Sequence, residues 1–280
     1  MKLLLAAFLM SLLVQNARSQ YYYNDIIILK ETNSQYAALK NSHITQVTAQ
    51  SLEGNNEPAK GFLLRQDILN NASEIVTTSD LPSTGESVSK NYYDNGRLVK
   101  TVDSSSADSG KIILSIVDYT YDEAGNIKTN TTVTVDTFMN SRSEEVHEWF
   151  YNNNTPIYML RIKDKLDTTV VEFVKDDQGN IAEEHWKKKG KRIEDYFYYY
   201  NKAHLLTDIV RFNNRIKKML PDFLFEYDDS GKLKQLTQIQ QNSSDYITWY
   251  YEYNENGLKE KEFCYDKLKH LLGSIDYTFR

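Results

Sequence analysis

Tyr119-Thr120-Tyr121-Asp122-Glu123-Ala124-Gly125-Asn126-Ile127 carries the pattern that decides the architecture. It runs aromatic, any residue, aromatic, Asp, two spacers, Gly, any residue, aliphatic. Taking the residue before the Asp or Asn as a register mark, the pattern returns at Tyr93, Tyr121, Tyr151, Lys175, Tyr200, Tyr227 and Tyr253. The intervals are 24 to 30 residues, about 27 on average. A period of roughly 20 to 50 residues marks an array of one repeated supersecondary unit.

The turn chemistry identifies that unit as a β-hairpin. Asp122 to Gly125, Asp176 to Gly179, Asp228 to Gly231 and Asn254 to Gly257 each begin with a side chain that can accept from backbone two residues on. Each ends with a glycine that can take positive φ without a Cβ clash. This composition fits a type I turn followed by a left-handed residue in a bulge. Asp94-Asn95-Gly96 is a shortened form. Asn152 to Thr155 and Asn201 to His204 lack the glycine. Further turn clusters at Ser109-Gly110, Asn140-Ser141, Lys189-Gly190, Asn213-Asn214 and Asn242 to Ser244 divide each period into two strands and two turns.

Two residues before the marks stand Tyr119, Trp149, Phe173, Tyr198, Phe225 and Tyr251. Two further back stand Val117, His147, Val171, Tyr196, Phe223 and Trp249. Strand alternation gathers these on one face. The other parity carries Asp118, Glu148, Glu172, Glu226 and Glu252, a wet face. On the returning strands, simple alternation assigns Glu183, Asp208, Gln235, Lys259 and Lys261 to the aromatic face. Leu205 to Phe212 could be an amphipathic helix, but the flanking period favours a strand. About fifteen strands result, more than the roughly 10 an open twisted sheet tolerates. The expected fold is therefore all-β: a long antiparallel meander of about seven hairpin repeats, strongly curled and able to close into a barrel or shell.

Upstream of the repeat, Lys2, the apolar run Leu3 to Val14 and Ala17-Arg18-Ser19 have the layout of a signal peptide over residues 1–19. The run is shorter than the roughly 20 residues a membrane helix needs. Tyr21 to Leu29 is rich in aromatic and β-branched residues and reads as a strand. The weakly apolar segment up to residue 90 is expected to cover the first sheet edge with irregular strands and loops. Residues 91–280 form the repeat array, continuous with 20–90 as one domain. Removing the first nineteen residues takes away Lys2 and Arg18 and moves the formal charge from −6 to −8. Such acidity disfavours nucleic acid as a partner. Cys264 is the only cysteine, so no disulfide forms within the chain.

The stretch at 119–127, with Phe225-Glu226-Tyr227-Asp228-Asp229-Ser230-Gly231-Lys232-Leu233, resembles the YD repeat of RHS-type secreted bacterial proteins. The resemblance covers about two-thirds of the chain, roughly 91 to 280. It implies an extracytoplasmic β-hairpin array, in some relatives a hollow shell, and supplies no catalytic residues.

The five histidines, His43, His147, His185, His204 and His270, form no His-Glu-x-x-His spacing, and the Asp-rich turns lack the ligand array of a calcium-binding loop. Neither a Gly-x-Ser-x-Gly elbow nor a Walker-type loop occurs. No catalytic residue, metal or cofactor is therefore expected. Trp149, Trp249, Tyr251, Tyr198 and Tyr119 are candidates for an aromatic ligand platform, with core packing as the alternative role. The expected function is non-catalytic: an exported protein of a Gram-negative-type envelope, periplasmic, at the outer surface or extracellular. It would bind a glycan, a peptide or an envelope protein, or serve as a scaffold. The alternative is an outer-membrane β-barrel or pore, which the charges assigned to the aromatic face oppose.

Overall fold

The computed structural model describes residues 21–59, 61–81, 85–106, 112–213, 217–240 and 245–280. The proposed leader lies outside them. Among the described residues are one helix, α1 (Asn24–Asn41), and eighteen strands. The first six are β1 (Gln46–Glu53), β2 (Leu63–Leu69), β3 (Glu74–Leu81), β4 (Gly85–Asp94), β5 (Arg97–Ser106) and β6 (Ile112–Tyr121). Then come β7 (Ile127–Asp136), β8 (Ser141–Asn152), β9 (Thr155–Lys163), β10 (Asp167–Lys175), β11 (Ile181–Lys188) and β12 (Lys191–Tyr200). The last six are β13 (Leu206–Asn213), β14 (Lys218–Tyr227), β15 (Leu233–Ile239), β16 (Tyr246–Tyr253), β17 (Lys259–Asp266) and β18 (Leu271–Phe279).

Every strand pairs antiparallel with its sequence neighbours, and β1 also pairs with β18, from Val47↔Phe279 to Glu53↔Gly273. The meander is a closed barrel. The segment expected to be an irregular edge cover instead supplies four regular strands, β1 to β4. Closure removes the edge it was expected to protect, and the count rises from about fifteen to eighteen. Leu205 to Phe212 falls mainly in strand β13.

The expected bulge occurs at every repeat. Pairing slips by one residue next to Tyr93, Tyr121, Tyr151, Lys175, Tyr200, Tyr227 and Tyr253, the seven register marks. Each bulge inserts one residue on the returning strand and reverses its parity. Glu183, Asp208, Gln235 and Lys261 therefore face outward, opposite Val174, Tyr199, Glu226 and Glu252. Lys259, before the slip is absorbed, stays on the aromatic face opposite Tyr253. The turns themselves follow the sequence reading. Asp176 Oδ1 accepts from the N–H groups of Gln178 and Asn180, and Gly179 has φ +90°.

The strand expected at Tyr21 to Leu29 is instead the start of α1. Buried residues Leu29, Thr32, Tyr36 and Leu39 recur at helical spacing. The aromatic face of the wall points into the barrel, and eighteen strands enclose more space than wall side chains can fill. The helix fills part of it. Its residues and the turn before it touch inward side chains from β4, β8, β10, β12 and β14, which only an element within the lumen can do.

Candidate functional site

The site built by this arrangement is the plugged lumen. Glu184, next to the outward Glu183 on β11, is fully buried and faces the entry to α1. One carboxylate oxygen accepts from Tyr22 N–H at 2.7 Å and from Trp186 Nε1 at 2.5 Å. The other accepts from Tyr23 N–H at 2.9 Å and from Tyr198 Oη at 2.6 Å. Tyr23, the N-cap residue, makes no side-chain cap of its own, so a carboxylate from the wall caps the helix. Burial pushes Glu184 upward in pKa while the four donors pull it down. Four donors on two oxygens suit the ionised form, and negative charge is favoured at a helix N-terminus.

In the first turn of the helix, Asp25 Oδ2 meets His147 Nδ1 at 2.5 Å and accepts from Asn130 Nδ2 at 3.0 Å. His147 Nε2 lies 3.0 Å from Glu145, which Arg161 also contacts at 2.5 Å. Burial alone would depress the imidazole, but the Asp25 and Glu145 carboxylates outweigh it and raise His147 to about 9. Burial raises Glu145, and the His147 and Arg161 donors overcome it, leaving it at about 2. Further along, Asn33 Oδ1 accepts from Leu98 N–H at 2.9 Å, and Tyr36 stacks on Tyr93 with ring centroids 3.9 Å apart. The plug is thus fixed by a cap, a buried ion pair, an amide contact and a ring stack.

Towards the end of the lumen away from the Asp–Gly turns, the wall becomes polar. Ser79 and Ser87 hydroxyls are 2.7 Å apart and buried. Asp103, facing inward opposite Ser89, is pushed by burial to about 6, against a Ser89 hydrogen bond, and its Oδ1 has no partner among the described residues. Across the barrel, Arg211 pairs with Asp222 at 3.3 Å.

The five candidate platform residues lie on this inner face. Trp149, Trp249, Tyr251 and Tyr198 are buried and Tyr119 is half-buried, so they build no exposed platform. Trp149 stacks on Phe173 at 5.2 Å, and Tyr198 packs edge-on against Tyr21 and Tyr23. The inward parity that defines the ladder also buries it. Sequence reasoning missed Glu184 and the Asp25–His147 pair. Counting one extra residue after each turn would have turned Glu184 inward. The helical spacing of Leu29, Tyr36 and Leu39 would have exposed α1.

His185 faces outward, paired with Asp195 at 2.9 Å and Glu183 at 2.8 Å; Arg192 also contacts Asp195. Glu172 and Lys187 add a second outer ion pair at 2.6 Å. Among the described residues, no group of three His, Cys, Asp or Glu could hold a metal ion. No helix there is long and apolar enough to cross a membrane, which says nothing of a β-barrel.

No family model and no curated protein matches the chain. Among solved structures it is similar to a porin-like protein from Bacteroides uniformis, at 10% identity and TM-score 0.44, covering 85% of this chain and 96% of that one. It is also similar to part of the Tc holotoxin pore of Photorhabdus luminescens. There the identity is 11% and the TM-score 0.35, over 81% of this chain and 13% of that one. Both likenesses are loose, and neither bears on what the chain does.

Proposed function

We propose that this protein is a non-catalytic, exported barrel of the bacterial cell envelope, related to the YD-repeat proteins, that binds or scaffolds a glycan, peptide or envelope protein. The observation that carries the reading is the pairing of a self-plugged lumen with an ionic outer wall. Glu172, His185 and Asp195 sit midway along β10 to β12 on the outer face, and Lys90 and Lys100 do so on β4 and β5. In a lipid-facing wall, charges at mid-depth cost about 2–4 kcal/mol for a lysine or arginine. A helix capped by Glu184 across the lumen likewise suits a module that presents surfaces better than one that conducts solutes.

The test is fractionation of cells expressing the full chain, followed by planar-bilayer recording. The expected result is recovery without detergent from the periplasmic or extracellular fraction, and no conductance. Detergent-dependent extraction with stepwise single-channel currents would replace this reading with the pore. Turnover of any member of a chromogenic substrate panel, abolished by a lumen substitution, would replace it with an enzyme.

A further inference from the structure

The two ends of the barrel differ in character. At one end the Asp–Gly turns project Glu123, Asp177, Asp229 and Glu255, exposed carboxylates that are not the turn-closing residues. The opposite end carries the turns β7–β8, β9–β10 and β11–β12 side by side. Glu144 N–H on β8 donates to Asp164 in the next turn at 2.8 Å, and Lys188 on β11 pairs with Asp167 on β10 at 2.7 Å.

Large apolar side chains stand at these tips: Phe138 is 60%, Met139 67% and Leu166 90% exposed. The turns hold them out. Phe138 and Met139 N–H both donate to Asp136 Oδ1. Asp164 and Lys165 take φ 49° and 60°, and Leu166 N–H closes the turn on Lys163 O at 3.0 Å. Lys165, Lys189 and Lys191 stand exposed on the same turns and the one beside them, Lys189 near enough to Asp167 to help Lys188 hold that carboxyl below its usual range.

We propose that this end of the barrel docks on the surface of an anionic phospholipid membrane. The lysines meet the lipid phosphates, and Phe138, Met139 and Leu166 enter the headgroup–acyl boundary. A protein partner would call for a contiguous apolar patch or groove. Here the apolar groups are small and divided between two turns, Phe138 with Met139 on one and Leu166 beside Lys165 on the next, which suits a fluid surface that accepts shallow insertion at separate points. The acidic opposite end is repelled, so the charge asymmetry also sets the orientation. The docking end also carries acids, but Glu144 is paired with Arg142 and Asp167 with Lys188, and Asp136 and Asp164 accept backbone N–H groups. The proposal goes beyond the envelope-binding reading and does not require the barrel to open or span.

The experiment is co-sedimentation of the full chain with vesicles of phosphatidylcholine, with and without phosphatidylglycerol, loaded with a self-quenching dye. The expected result is binding to the phosphatidylglycerol vesicles only, weakened by salt, with no dye release. Each lysine near the surface is worth about a fivefold change in partition. The K165E/K189E/K191E protein should therefore lose well over tenfold, and the F138S/M139S/L166S protein should also bind more weakly. Five of the positions are in turns and Lys191 opens β12, and an unchanged thermal unfolding curve checks that each variant is folded. Absence of wild-type binding, equal binding to neutral vesicles, or undiminished binding by the charge-reversed protein would overturn the proposal. So would capture of an acidic soluble protein through the same lysines without vesicle binding. Dye release would instead contradict the non-pore reading, so the two failures are distinguishable.

Discussion

Tyr121, Tyr200, Tyr227 and Tyr253, four of the register marks, each donate a hydroxyl to a backbone carbonyl just past the turn of the preceding hairpin. The acceptors are Leu98, Ile181, Leu206 and Leu233, at 2.5 to 2.9 Å. The repeated tyrosine is therefore a tie between neighbouring hairpins as well as a core residue. Tyr227→Phe keeps the ring and orphans one carbonyl, so it should cost about 1 kcal/mol in denaturant unfolding with no change in slope. Glu184 is a sharper case. Glu184→Gln offers one acceptor oxygen to four donors and sets its own amide N–H groups against two of them. It should cost about 3 kcal/mol, and hydrogen exchange should place the loss in α1 before the strands. The tyrosine ties were half legible, since the pattern marked the residues but not their hydroxyl partners, which lie about 20 residues back. Glu184 was hidden by one bulge residue that strict alternation does not count.

At the scale of the element, α1 is held to the wall by a pair that titrates. His147 is raised from 6.5 to about 9, so its contribution is complete below 6.5 and is lost as pH climbs through about 9. Glu145 is lowered from 4.5 to about 2, so its contribution is complete above 4.5 and is lost as pH falls through about 2. Glu145 touches His147 and Arg161 within the wall, so its acid loss weakens the wall behind the helix. Docking of α1, by contrast, should be complete below about pH 6.5 and weaken as pH climbs through about 9. The alkaline loss should be on the order of 3 kcal/mol, given the size of the His147 shift. Amide exchange of α1 measured against pH checks this, and His147→Gln should remove the alkaline limb while weakening docking throughout. An unaltered limb in that variant would assign the titration elsewhere. The helix was misread because Tyr21 to Leu29 has strand-like composition. Its conformation is set by the lumen it fills, a tertiary effect that local propensity does not carry.

At the scale of the molecule, closure makes every strand internal and the β1–β18 seam a condition of the whole. The sequence indicated curling and left closure open, because nothing in the Tyr–Asp–Gly repeat records that Val47 would meet Phe279. The seam has a point of close approach where only glycine fits. A Cβ on Gly54, just past β1, would lie 2.2 Å from the carbonyl oxygen of Leu271 at the start of β18. Gly54→Ala must push the two strand ends apart, at about 2 kcal/mol for a forced backbone shift. Cys264, on β17 beside the seam, provides the readout. Its sulfur faces the lumen, fully buried, and burial followed by the nearby Glu262 charge pushes the thiol up to about 12. In the native protein it should resist alkylation, reacting only when the wall opens. If the ring opens as a unit, Gly54→Ala should speed Cys264 labelling and the exchange of strand amides on the far side, such as β9 and β10, by the same factor of about 30. Faster labelling with β9 and β10 unchanged would mean that the seam frays by itself. The barrel would then be a curled sheet whose edges meet, and α1, anchored mainly on β4 to β14, would be what holds the far wall together.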